Sequence, residues 1–262
     1  MSLTGKSPSE TYKDILYVDN SNTGSDGTKR SVKSGDGSSS SLLVSDRGLQ
    51  VKSSTDNTTV LDVQDSGGNT KFLVDTTNDY VKANGLHVNT QYANFGISYG
   101  YFSNLSANTH YSVPFNSTGD STLVTDVDFG TGTDPDTSFT TADTDTQYAG
   151  QLVRGIWYVP DNISIDSVTS IEGADAATGD TTRMHLYSYT FNSGSASALA
   201  DGTLLAHNSD VTNAGNEQAY KSTWTVDSAS VSSGKVILAF FRSDSVNSDY
   251  SINITVKYHI TG

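Results

Sequence analysis

Cysteine is absent from the 262 residues, proline occurs only 4 times, and 15 Lys and Arg face 29 Asp and Glu, for a formal charge of −14. Without cysteine there is no disulfide scaffold and no thiolate metal site. The shortage of bases sets the chain against nucleic acid, whose phosphates repel an acidic surface. No run approaches the roughly 18 apolar residues of a membrane span. The opening MSLTGKSPSE lacks the apolar centre of a secretory signal. Neither nucleic acid nor membrane is therefore an expected partner. Glutamate is also scarce, with Glu10, Glu172 and Glu217 the only ones.

What the chain does have is Ser, Thr and 23 Gly, together with 14 Tyr, 9 Phe and 2 Trp. The aromatics fall in period-2 runs between clusters of Gly, Asn, Asp and Ser, which is the pattern of strands and turns rather than of disorder. The spacing predicts an all-β fold in three parts. Residues 1–40 read as an extended arm with one short helix. Residues 41–90 read as a β-hairpin shaft or neck, and 91–262 as an antiparallel β-sandwich head of jelly-roll type. In the arm, Ser7 suits an N-cap, Pro8 the first helical position, and Glu10 completes an S-x-x-E capping box, starting a helix that runs to about Leu16. Asn20 to Ser41 is a polar run that reads as a solvated linker or as an arm lying on another protein.

Strands are expected at 42–45, 48–52, 60–64, 71–75, 80–82 and 86–88, joined by turns whose residues tolerate positive φ. About fifty residues of such hairpins cannot enclose a core of their own. Copies of the same chain are the simplest cover. Farther on, strands are expected at 153–159, 164–172, 181–191, 203–206, 220–226, 236–241 and 251–260. Ile252, Ile254 and Val256 alternate with Asn253 and Thr255, as in a half-buried strand. Trp224, in step with Ser222 and Val226, reads as core. Val236 to Phe241 is apolar on both faces, so it belongs at the centre of a sandwich or under a neighbouring subunit.

Two segments carry a resemblance. Phe72-Leu73-Val74-Asp75 followed by Thr76 to Asp79, Tyr80-Val81-Lys82 and Gly85 resembles the hairpin repeat in the shafts of trimeric tailed-phage fibres. Leu3 to Leu16, continuing through Val18-Asp19-Asn20-Ser21-Asn22, is similar to the amino-terminal attachment segment of virion fibre and appendage proteins of marine tailed phages. The resemblance implies a homotrimer that docks on other virion proteins, capsid or tail, through Ser7, Pro8, Glu10, Tyr12 and Leu16. Its shaft interface would use Phe72, Val74, Val81 and Leu86, and its outward-facing head would sometimes bind a host glycan or receptor. The shaft is short and the chain small for a tail fibre, so a capsid-decoration role stands beside a tail role. The missing cysteines suit assembly in a reducing bacterial cytoplasm and residence in the virion.

Enzyme chemistry finds little footing. Gly96-Ile97-Ser98-Tyr99-Gly100 matches the nucleophile elbow G-x-S-x-G, but nothing after it reads as the helix such an elbow needs. Asp126 and Asp128, Asp134 and Asp136, and Asp143 and Asp145 stand at i, i+2, a spacing that leaves calcium as the one open cofactor; none is otherwise expected. A polysaccharide-degrading enzyme would need two carboxylates across a cleft, and the sequence nominates none. The histidines His87, His110, His185, His207 and His259 are scattered, without a zinc-hydrolase spacing. Among the aromatics, Tyr99, Tyr101, Trp157 and Tyr187 are the ones expected to face a sugar ligand, ring against ring, with neighbouring amides and carboxylates on the hydroxyls.

Overall fold

The computed structural model describes residues 16–21, 23–96, 105–116, 127–141, 149–175, 177–245 and 249–261. It is almost entirely antiparallel β-structure, as the alternation predicts, in two compact units, Met1–Val88 and Asn89–Gly262.

The first unit holds two four-stranded meanders. One is built from β1 (Leu16–Val18), β2 (Arg30–Ser34), β3 (Ser39–Val44) and β4 (Leu49–Val51), paired in that order. The other runs β5 (Leu61–Gln64), β6 (Thr70–Asp75), β7 (Tyr80–Ala83) and β8 (Leu86–His87). Turn chemistry sets the second meander. The Asp75 carboxylate accepts the backbone N–H groups of Thr77 and Asn78 and the Asn78 side-chain amide, closing the β6–β7 turn. Asn84 and Gly85, with φ of 48° and 80°, make the two-residue turn between β7 and β8 that requires positive φ twice. All six hairpin strands expected between 42 and 88 are present within a few residues. The polar run 20–41 is not linker throughout, since it contributes β2 and the start of β3. Its strand character is hidden because β2 carries a single apolar side chain, Val32, and pairs mainly through its main chain. Leu16 is the first residue of β1, opposite Ser34, rather than a helix end. The rest of the expected helix, including Ser7, Pro8, Glu10 and Tyr12, lies outside the described residues.

In the second unit the strands are β9 (Thr90–Gly96), β10 (Tyr111–Val113), β11 (Trp157–Tyr158), β12 (Ile163–Asp175), β13 (Thr181–Phe191), β14 (Leu199–His207), β15 (Val211–Thr212), β16 (Gln218–Thr223), β17 (Thr225–Val226), β18 (Ser230–Val231), β19 (Lys235–Ser243) and β20 (Asp249–Ile260). One sheet is ordered β16-β12-β20-β9, with β18 on β12. The other is ordered β10-β19-β13-β14-β17, with β11 on β19 and β15 on β13. Counting only the eight principal strands in chain order, the orders are 6-3-8-1 and 2-7-4-5. Both sheets feed one apolar cluster, with Ile165, Val168, Ile254 and Val256 from the first and Met184, Leu186, Ile237 and Phe241 from the second. Residues 220–226 are not one strand: β16 pairs with β12 and β17 with β14, so the chain changes sheet at Trp224. That indole is buried as its alternation predicts, and its Nε1–H donates to Ser170 Oγ at 2.9 Å.

The β19 run is apolar on both faces because both are covered by this chain itself. Behind the shared core, Tyr187, Tyr189, Val236, Leu238 and Phe240 form a second cluster with Val127, Phe129, Phe139 and Leu152. Phe129 sits 4.9 Å from Phe139 and 4.5 Å from Phe240, ring centre to ring centre. The 127–139 segment crosses the sheet and is pinned at both ends by main-chain bonds, Phe129 to His110 and Phe139 to Leu199. Leu152 belongs to a short helix, α1 (Ala149–Gly155), where a strand over 153–159 was expected. A short apolar run does not distinguish the two by period alone. Here the helix turns Leu152 onto Phe240's face of the sheet, and the strand starts only at Trp157.

Candidate functional site

The first unit has strands but almost no interior. Among its described hydrophobic residues only Val32 is buried, at 9% exposure, whereas nine large ones are exposed, Leu49 at 64% and Leu86 at 50% among them. Register gathers them. Leu61, Val74 and Val81 form one cross-strand row, and Val63, Phe72, Ala83 and Leu86 the next, on the same face of the β5–β8 sheet. The four residues expected in a shaft interface, Phe72, Val74, Val81 and Leu86, therefore share one apolar face, while Asp62, Leu73, Lys82 and His87 alternate to the other. In the other meander, Leu42 and Val51 pair beside Val44 and Leu49 in the same manner.

Of the four aromatics expected to meet a ligand, the two that are described, Trp157 and Tyr187, lie inside the protein. Trp157 is 7% exposed and stacks on Phe115 with centroids 5.8 Å apart, and Tyr187 is 4% exposed within the second cluster. Both are core: Trp157 packs against Phe95, Phe115 and Tyr258 in the cluster between the sheets, and Tyr187 lies on the roofed face of its sheet. Tyr99 and Tyr101 lie outside the described residues, as does the Gly96–Gly100 motif beyond its first glycine. Among the described residues of the second unit, the exposed rings are Tyr92, Tyr158 and Phe191. Tyr92 stands opposite Lys257, in a row next to Asn94 and Thr255, on the polar outer face of the β16-β12-β20-β9 sheet.

Three of the scattered histidines come together on the roofed face of the other sheet. His185 on β13 faces His207 on β14 in register, and its ring centroid is 5.1 Å from that of His110. Each outer ring has one nitrogen fixed: His110 Nε2 lies 3.1 Å from Gly132 O, and His207 Nδ1 lies 2.7 Å from the Asp227 carboxylate. His185 Nε2 is 3.3 Å from Asp134 Oδ1. Burial drives the His185 imidazole down to about 3, helped by His110, Arg183, His207 and Arg242, so it is neutral at pH 7. Burial, with a contribution from Arg242, also lowers His110. Beside them Arg183 and Arg242 stand opposite each other, Arg183 pairing with Asp210 at 3.4 Å and Arg242 donating to Asn108 Oδ1. No helical or i, i+2 spacing announces this group. Only the β13–β14 register, which slips twice, brings His185 and His207 face to face.

Of the acid pairs only Asp134 and Asp136 are described in full, and they serve different neighbours. Asp134 leans on His185, Asp136 gives its backbone carbonyl to Tyr189 Oη at 2.8 Å, and Asp126, Asp143 and Asp145 lie outside the described residues. Among the described carboxylates Glu172 is the one whose pKa rises most, to about 7, through burial opposed only in part by its hydrogen bond from Thr182. It is 1% exposed between the sheets, where no substrate reaches it. Among the described residues no helix is long and apolar enough to cross a membrane. No family model and no curated protein matches this chain.

Proposed function

We propose that this chain is a non-enzymatic structural protein of a tailed-phage particle, a homotrimeric fibre or capsid-decoration appendage. Its hairpin section would become solid when three copies associate, and its second unit would be a jelly-roll-type sandwich head. The observation that carries the reading is the uncovered apolar face of the β5–β8 sheet. Ordering a chain costs about 1–2 kcal/mol per residue in backbone entropy. A single buried valine does not offset that, whereas covering a Val, Leu or Phe side chain contributes about 1.5–3 kcal/mol. Symmetry-related copies supply the cover three times over, and the resemblance of Phe72 to Gly85 to shaft hairpins favours threefold over twofold association. The strand orders of the second unit support the jelly-roll reading, an architecture shared by viral capsid and lectin domains.

Light scattering on the purified full chain tests the reading. The expected mass is three times the 27.8 kDa of one chain. A monomer that melts cooperatively as a single copy refutes it. Imaging of particles carrying a labelled chain then separates capsid from tail.

A further inference from the structure

We propose that the cavity beside Arg183 and Arg242 is a binding site for one small hydroxylated carboxylate, a molecule of the sugar-acid class held by its acid group. Arg183 on β13 and Arg242 on β19 are directly opposed in register, so both side chains leave the same face of the sheet side by side. Like charges in that position destabilise a sheet. The chain answers only part of this charge. Arg183 Nη1 reaches Asp210 at 3.4 Å, whereas a well-matched carboxylate bridges two guanidinium nitrogens at about 2.7–2.9 Å. Arg242 has no ion pair among the described residues, and its Nη2 donates to the neutral Asn108 Oδ1 at 2.6 Å. The Nε–H groups of both arginines are buried without an acceptor. Buried donors left in this state are rare, and here two of them belong to neighbouring guanidinium groups. The chain carries a charge of −14 and only five arginines, and two of the five stand together at this one place.

A cavity of about 200 Å³ adjoins them. Besides the two arginines it is lined by Asn108, Thr181, Thr182, Asp210 and Asp244, with no wholly apolar side chain among them. Pockets for drug-sized ligands measure about 300–1,000 Å³, so this one admits a single small molecule. The lining sets its class. Two guanidinium forks suit a planar carboxylate. An amide, a threonine hydroxyl and two carboxylates suit a ligand body rich in hydroxyl groups and offer nothing to a hydrocarbon chain or an aromatic ring. Asp210 and Asp244 also set the charge. They repel a phosphate dianion, whereas a singly charged acid meets the arginines with its carboxylate and gives its hydroxyl protons to the two aspartates. The lining is in place before a ligand arrives, which keeps the ordering cost of binding low. Asp244 Oδ1 accepts the Thr181 N–H at 2.7 Å. Asn108 is held with φ at 61° and its own N–H donating to Ser243 O at 2.7 Å.

The test is a titration of the full chain, labelled with ¹⁵N-arginine, with sodium D-glucuronate at neutral pH and constant ionic strength. It is followed through the Nε–H correlations of the five arginines. Saturable one-site movement of two signals, the ones lost in Arg183→Lys and in Arg242→Lys, is the expected result, with the other three unmoved. The neutral methyl ester of glucuronate should bind at least about tenfold more weakly, because it lacks the charge-assisted bonds, and Arg242→Lys should weaken glucuronate binding to a similar degree. Benzoate, an acid with an apolar body, should bind more weakly than glucuronate. Since Arg242 is partly buried, its variant counts only with an unchanged circular dichroism spectrum, and the signals of the unsubstituted chain decide the matter without it. Stillness of both signals, equal movement of all five, equal binding of the methyl ester or of benzoate, or displacement of glucuronate by a lower concentration of inorganic phosphate would overturn the proposal.

Discussion

Replacing Glu172 with Gln should stabilise the protein at neutral and alkaline pH while changing little in acid. Glu172 points between the sheets, and both its oxygens lie within 3.0 Å of Thr182 Oγ1, a hydroxyl with one proton to give. Burial lifts its pKa from 4.5 to about 7. In that interval the native state keeps a proton that the unfolded chain has released. Stability must therefore fall as pH rises from about 4.5 to about 7 and then level off. The whole difference, at about 1.4 kcal/mol per pH unit, amounts to about 3 kcal/mol. Glutamine carries no such charge. It can donate its amide N–H to Thr182 Oγ1, while the Thr182 hydroxyl turns to Val211 O, 3.4 Å away. Urea unfolding of both proteins at pH 5, 6, 7 and 8, at one protein concentration, gives the difference curve, in which all other titrations cancel. The variant's advantage should grow by about 2.5 kcal/mol between pH 5 and pH 8. A flat difference, or one that shrinks as pH rises, would show that Glu172 is not held protonated by its surroundings.

The remaining predictions concern the hairpin face and the roofed sheet. Val74→Asp puts a charge in the centre of the apolar row and, if the proposed trimer forms through that face, should leave a monomer in light scattering, while Lys82→Asp, on the opposite face, should not. Phe129→Ala removes the ring wedged between Phe139 and Phe240 and should cost about 3–5 kcal/mol in denaturant unfolding. Gly202→Ala would bring a methyl within 2.6 Å of the Tyr189 ring and 2.7 Å of the Thr137 backbone, so it should loosen the 127–139 segment and lower the melting temperature. Gly173→Ala, with open space around its Cβ, is the control and should leave it unchanged.

Much of this architecture can be read from the residues, for physical reasons that also mark where reading stops. Strict alternation makes Ile252, Ile254 and Val256 recognisable as one face of β20, and Asn84-Gly85 declares its turn because few other pairs accept positive φ twice. The coreless character of the hairpins follows from composition, and register then shows Phe72, Val74, Val81 and Leu86 on one side. β2 escapes because main-chain pairing leaves no side-chain signature in a serine-rich run. Trp157 and Tyr187 read equally well as ligand platforms or as core until Trp157 is seen between the sheets and Tyr187 beneath the 127–139 segment and α1. The histidine group is invisible to spacing altogether. It exists only through a strand register with two slips and a segment laid across the face some fifty residues earlier in the chain.

The first and last strands of the second unit lie side by side: Thr90 pairs with His259, and the Asn89 side-chain amide reaches Ile260 O at 2.6 Å. Entry and exit therefore share one corner. Such a module can be spliced as a cassette into a surface loop of an unrelated carrier, or re-cut to begin elsewhere, without any strand having to be threaded or reversed. A pull applied across that corner would unzip β9 from β20 one rung at a time instead of loading the whole sheet in shear.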